Sequence, residues 1–278
     1  MKRIYTVFIG LLITGIAFSQ PLKIKLANGQ KIVVESTTEI EASLTMGMEL
    51  KSNSITINTL GVKNSTDKNY TISNTLTKLK VNMNMMGQAN DYDSENKEGN
   101  NADMAKIFDE RLNKPVDIDI DNTTGVAIMD KKQVAKKDAD ESNPADDLMK
   151  IFSDNSDDAI VSGAFEMIPS GKSIGDSWSD TTVAKDMKVL RTYTLKSITG
   201  NEAVIKSDII SSAVNKLNFQ EMEFDIKSET KTIGEIITDI STGLVKKRTS
   251  IADINGSIQM MGQDMPISAK ATSTNIYK

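Results

Sequence analysis

The 278-residue sequence contains no cysteine and no histidine. Those absences exclude thiolate nucleophiles, disulfide staples, imidazole-ligated zinc and any Ser-His-Asp relay, and they remove the side chain that titrates near neutrality unaided. Carboxylate, lysine, hydroxyl and thioether chemistry remains. Aromatic residues are scarce as well, with one Trp, five Tyr and seven Phe, which leaves little flat surface for stacking sugars or bases.

What is present begins with a leader. Lys2 and Arg3 precede an apolar run from Ile4 to Phe18, and Ala17-Phe18-Ser19 puts small residues at the −3 and −1 positions of a cleavage site. The pattern predicts a Sec-type signal peptide over 1–19, cut after Ser19, and a secreted or periplasmic mature chain. The run, about 15 residues, falls short of the roughly 20 that span a bilayer, so no transmembrane segment is expected in the mature chain. Gln20 stands where a lipoprotein signal would need Cys, so no lipid anchor is expected either. Losing Lys2 and Arg3 from the 33 basic residues leaves 31 against 38 acidic ones, a balance that argues against general nucleic-acid binding. The acidity is concentrated, because residues 91–158 hold 19 acidic and 9 basic groups. Both flanks are instead rich in Thr, Ile, Val and Ser. This contrast predicts a single β-rich domain over 20–278 with an acidic helical insertion over about 96–169.

The flanks carry the period of strands. In Lys78-Leu79-Lys80-Val81-Asn82-Met83-Asn84-Met85 every second residue is apolar, and Glu221-Met222-Glu223-Phe224-Asp225-Ile226-Lys227 repeats the pattern. One wet face per strand implies an antiparallel sheet. Asn28-Gly29 and Asn255-Gly256 suit two-residue hairpins, and Thr199-Gly200-Asn201 suits a third. Around ten strands follow. Met104, Ile107, Phe108 and Leu112 share a helical face that Asn100 or Asn101 can cap; Asn143-Pro144 opens a second helix with Leu148, Met149 and Phe152 as its stripe. A third short helix is expected around Asp157–Glu166, and strand character over Pro115–Met129. The expected fold is mainly β, a curved antiparallel sheet or incompletely closed barrel with helices packed over one face.

Two motifs recur. Asp121-Asn122-Thr123-Thr124-Gly125 and Asp239-Ile240-Ser241-Thr242-Gly243 both read D-x-x-T-G, a hairpin in which Asp accepts backbone N–H groups and Gly takes positive φ. Met-Met-Gly-Gln occurs at 85–88 and at 260–263. Asp117, Asp119 and Asp121 resemble the start of a calcium loop, but Asn122 and Ile128 replace its Gly and Glu, and a charged edge strand explains them better. Asp91, Asp93 and Glu95 contain the carboxylates a glycosidase needs, without the aromatic platform. Methionine clusters at 46 and 48, at 83, 85 and 86, and at 260, 261 and 265; these thioethers fill a core, line an adaptable apolar groove, or offer Cu(I) a soft site. Trp178 reads first as a core anchor and second as a binding residue.

Tyr92-Asp93-Ser94-Glu95, the D-x-x-T-G hairpins and Gly175-Asp176-Ser177-Trp178, in that order behind a leader, resemble an uncharacterised family of secreted, β-rich bacterial proteins without established activity. In outline the chain is also similar to the periplasmic lipoprotein carriers, whose curved sheet half-wraps a lipid cavity; that likeness implies a fold and not a site. The resulting expectation is a non-enzymatic binding protein that holds a lipid or other hydrophobic ligand, or a partner segment, on a concave apolar face including Met83, Met85, Met222, Phe224 and Trp178. The alternatives are a cell-envelope structural module with a protein partner, a carboxylate-based enzyme and a Cu(I)-binding methionine site. No catalytic residue, metal-ligand set or cofactor is assigned.

Overall fold

A computed structural model describes residues 23–43, 47, 49–85, 87–128, 156–184, 186–219, 222–260 and 263–278, and within them every side chain except Ile107, 215–219, 222–225 and Met260. The strands are β1 (Lys31–Ser43), β2 (Glu49–Ser65), β3 (Asn69–Met85), β4 (Gln88–Asp93), β5 (Pro115–Asp121), β6 (Ser177–Ala184), β7 (Met187–Thr199), β8 (Glu202–Phe219), β9 (Met222–Asp239), β10 (Val245–Met260) and β11 (Gln263–Tyr277). Two short helices join them: α1 (Ala102–Asp109) and α2 (Asp157–Gly163). All the strands lie in one antiparallel sheet of order β4-β3-β2-β1-β11-β10-β9-β8-β7-β6, with β5 on the remaining length of β3. The chain's first and last strands therefore meet at the centre, where Val34 faces Tyr277. The sheet does not close. One edge is β6, and β4 and β5 share the other.

Alternation decides which face is buried. In β1, Ile32, Val34, Ser36, Thr38, Ile40 and Ala42 are buried, while Lys31, Thr37, Glu39 and Glu41 are exposed. The inner faces feed two apolar clusters. The first joins Leu60 and Ile72 of one wing to Leu195, Ile205 and Ile236 of the other, with Ile24, Val161 and Phe165 between them. Seven strand spacings separate β3 from β7, roughly 34 Å if the sheet were flat, so a shared cluster requires the sheet to curl. Each fully buried Ile or Leu there stabilises the fold by about 1.5–3 kcal/mol. The second cluster lies at the other end of β1–β3 and packs Leu50, Leu79, Val81 and Tyr92 under α1. Phe108 lies 5.2 Å from the Tyr92 ring, and the Tyr92 hydroxyl donates to Asp109 at 2.7 Å.

Local rules place most turns and helix starts. Asn101 caps α1 by accepting from the N–H groups of Asp103 and Met104, and Ser156 caps α2 through Ala159 N–H. The helix expected after Asn143-Pro144 lies outside the described residues, as does the expected leader. Thr199-Gly200-Asn201 joins β7 to β8, with Gly200 at φ 59°. Asn28-Gly29 makes a turn that leads into β1. Asn255-Gly256 is no turn at all: it lies inside β10, where a Cβ on Gly256 would run into the Lys227 carbonyl of β9. Gly is needed there for close backbone approach, a requirement set by a distant strand.

The two D-x-x-T-G turns are built alike. Asp121 accepts from the N–H groups of Thr123 and Thr124, and Asp239 from those of Ser241 and Thr242. Gly125 and Gly243 have φ of 72° and 77°, and each donates its N–H to its Asp carbonyl. Both turns close on Ile24, whose N–H bonds Asn122 O while Lys25 N–H bonds Thr242 O. The Ile24–Lys25 segment is thus pinned between the wings.

Candidate functional site

The inner face carries a polar band between its two apolar clusters. On one wing Ser36, Thr38, Ser52, Ser54, Asn58 and Asn74 are buried. Asn58 donates to Asn74, which donates to Asp157 at the start of α2, while Ser52 Oγ and Asn58 Oδ1 have no partner. The band continues across the other wing as Ser211 (β8), Thr230 and Thr232 (β9), Ser250 and Ala252 (β10) and Ser273 (β11), all half-buried. Both helices pack toward β3, β4 and β5, so among the described residues none of the helices lies on this second stretch. Among the described residues the result is an uncovered, half-buried stretch of the curled inner face, a trough floored by hydroxyls and small side chains.

A charged and aromatic group closes one end of the trough. Arg248 of β10 reaches Glu166, in the segment after α2, at 3.1 Å, and its side chain is 22% exposed against 11% for Glu166. Thr238 Oγ1 donates to the Glu166 carbonyl, and Glu166 N–H donates to Gly243 O, so β9 and the turn after it fix the backbone that carries the carboxylate. Burial pushes the Glu166 carboxyl above its usual range, against the pull of Arg248. Tyr277 accepts a hydrogen bond from Arg248, and burial raises the hydroxyls of both Tyr277 and Tyr193. Arg248 Nε is buried without a partner. Beside this group Arg191 Nη1 donates to Asp180 and Thr182 at 3.0 Å each, and Trp178 stacks on Tyr193 with centroids 5.7 Å apart. Each guanidinium is paired with a carboxylate, so the group can orient a ligand by hydrogen bonds and ring contacts.

The residues singled out by periodicity do not gather in one place. Met83 is buried and Met85 partly buried, both in the second cluster near α1. The side chains of Met222 and Phe224 lie outside those described. Trp178 stands on the far edge strand, packed on the first cluster. Glu166, Arg248, Tyr193 and Tyr277 were not singled out; Glu166 and Arg248 are 82 residues apart, and no local pattern links them. A readable signal did exist in β2, where Ser52, Ser54, Thr56 and Asn58 alternate on the buried face. The other candidate acids face outward and are engaged: Asp117 with Lys63, Asp119 with Thr71, Asp93 with Lys80 and Glu95 with Lys78. Among the described residues no three carboxylates converge as a metal site would require.

A cavity of about 490 Å³ lies at the far ends of β1, β2, β10 and β11, among Glu41, Glu49, Lys51, Asp253 and Lys270. The register assigns those side chains to the outer face, where Glu41 opposes both Lys51 and Lys270. Elsewhere the same face is apolar, with Ile251 of β10 and Ile233 of β9 opposed and both exposed. No helix among the described residues is long and apolar enough to cross a membrane.

Comparison with solved structures relates this architecture to lipovitellin, studied for its lipid–protein interactions, at a TM-score of 0.53 and 11% identity over 91% of this chain. The chain spans 25% of that protein's length. Pseudomonas aeruginosa OccK5 has a TM-score of 0.26 at 7% identity, covering 90% of this chain and 98% of its own. Salmonella typhi OmpF has 0.23 at 8%, covering 92% and 100%. Those two values are too low to carry a fold relationship. No curated protein matches the sequence. Residues 67–245, from just before β3 to the first residue of β10, match one family model. The chain belongs to that family, described as a family of unknown function (DUF6263).

Proposed function

We propose that this is a non-enzymatic binding protein, secreted or periplasmic once its leader is removed, that lays an elongated lipid-like amphiphile along the trough of its open sheet. The observation that carries the reading is the half-buried stretch from Ser211 to Ser273, floored by small and hydroxyl side chains and uncovered by either helix. A trough of that kind contacts an alkyl chain without bulk and meets a polar head with hydroxyls and the Arg191 and Arg248 edge. It differs from an all-apolar bowl. The fold likeness to lipovitellin is compatible with this ligand class.

Native mass spectrometry of protein isolated from its source is the direct test, with a co-purifying lipid mass expected. Lysophosphatidylcholine below its micellar concentration, titrated into stripped protein, should shift the emission of Trp178, the chain's one tryptophan. Thr232→Phe, which fills the trough floor, should abolish that shift. A clean unliganded mass together with unmoved emission would falsify the reading. The β6 edge, unpaired among the described residues, favours a second reading, an envelope interaction module.

A further inference from the structure

The two edges of the sheet are treated differently. On one side β5 carries Pro115 and three aspartates, and its own chain covers it: Asp121 N–H bonds Val126 O and Ile128 N–H bonds Asp119 O. Its neighbour β4 is covered in the same way, with Asn101 N–H on Asp91 O and Asp93 N–H on the Asn100 side chain. These are the devices that keep a sheet edge from recruiting another chain. On the other side β6 reads Ser-Trp-Ser-Asp-Thr-Thr-Val-Ala, with no proline, no lysine and no bulge, and every residue but Trp178 is exposed. Val183 is 73% exposed. Its one charge, Asp180, is held by Arg191.

The direction of the free groups follows from two bonds. Leu195 N–H bonds Asp176 O, so Asp176 faces β7, and by strand alternation Ser177, Ser179, Thr181 and Val183 direct their N–H and C=O groups away from the sheet. Lys172 Nζ reaches Ser177 O at 2.8 Å from that open side. Among the described residues, nothing bonds the outward backbone groups of Ser179, Thr181 and Val183.

We propose that β6 pairs antiparallel with β6 of a second copy of this chain, with Thr181 on the two-fold axis. This register sets Thr181 against Thr181 and Ser179 against Val183 of the second copy, so that about six backbone hydrogen bonds form between outward-facing pairs. It also sets Asp180 against Thr182 of the second copy, a hydroxyl that Arg191 already holds. Each carboxylate then approaches a guanidinium from across the axis. Moving the axis to Asp180 would oppose the two carboxylates, and like charges directly opposite destabilise a sheet. Both troughs open on the same side, and their two sheets run on as one.

The test is sedimentation of the full mature chain over a concentration series. A dimer is expected for the wild type and a monomer for Thr181→Pro, whose missing N–H faces the open edge and so leaves the fold's own bonds intact. Equal melting temperatures of the two forms at concentrations where the wild type has dissociated would confirm that folding is unaffected. Because the chain has no cysteine, Thr181→Cys provides an independent readout: oxidation should give a disulfide dimer faster than the outer-face control Thr272→Cys. A wild type that stays monomeric, a Thr181→Pro dimer, or equal cross-linking of the two cysteine variants would each overturn the proposal. Lipid content does not enter any of these readouts, so the result is independent of the trough's ligand.

Discussion

Replacing Gly125 by Ala should cost more than the same change at a comparable glycine, and the difference measures how tightly the D-x-x-T-G turn is clamped to the core. Gly125 and Gly87 both have positive φ, 72° and 81°, so each substitution carries the same left-handed penalty, about 1–2 kcal/mol. At Gly87 nothing lies within 4 Å of the new Cβ. At Gly125 the Cβ would sit 2.5 Å from Phe165 Cβ and 3.2 Å from Ile24 Cδ1. Phe165 is 3% exposed and its Cβ is tied to the backbone, so no rotamer change relieves the contact. Overpacking of that kind adds about 1–3 kcal/mol, giving a total of about 2–5 kcal/mol for Gly125→Ala. Gly243→Ala should fall between the two, because its Cβ meets Met167 Sδ, the far end of a flexible side chain. Urea denaturation of the three variants, compared at constant m-value, supplies the numbers. If Gly125→Ala is no less stable than Gly87→Ala, the clamp described here does not exist.

Two further perturbations address the electrostatics. Glu166→Gln leaves Arg248 buried without its counter-charge and should destabilise by about 3–5 kcal/mol, whereas the double change Glu166→Leu with Arg248→Met should recover most of that loss; a double variant no better than the single would contradict the ion-pair account. The Asp121 carboxyl is held below its usual range, first by the Thr123 hydroxyl and then by the N–H groups of Thr123 and Thr124, with burial opposing. A depressed folded-state value stabilises the fold above the unfolded-state value and loses that contribution as pH falls through the folded one. Asp121→Asn should therefore flatten the acid limb of the stability curve below about pH 4, and parallel limbs for variant and wild type would refute the assignment.

Features that depend on neighbours in sequence were legible. The Lys78–Met85 alternation is the second half of β3, Asn101 caps α1, and the paired D-x-x-T-G turns bond as their side chains dictate. Features set by distant strands were not. Asn255-Gly256 has the composition of a hairpin, yet β9 crosses at Gly256 and makes it mid-strand. The expectation of around ten strands agrees with the eleven found among the described residues. A search for apolar alternation passes over the trough, because its floor alternates in Ser and Thr, residues that look equally at home on a solvated face. Met83 and Met85 do share a face, but the sequence is silent on α1 covering it.

The central position of β1 beside β11 means that the middle of the sheet pairs only after the ten other described strands have been made. Lys278 N–H bonds Val33 O, and Glu35 bonds Lys278 Nζ across 243 positions. Every other neighbouring pair joins strands close in sequence, so β1–β5 and β6–β10 can each form as a local meander. Among the strand pairs only the seam between β1 and β11 joins segments far apart in sequence, and Lys25 N–H on Thr242 O is a second long-range tie. Such long-range closure slows folding, and the two meanders must persist side by side until β11 emerges. Removing β11 would leave each of them with an unpaired inner strand, β1 in one and β10 in the other, at what had been the most protected line in the molecule.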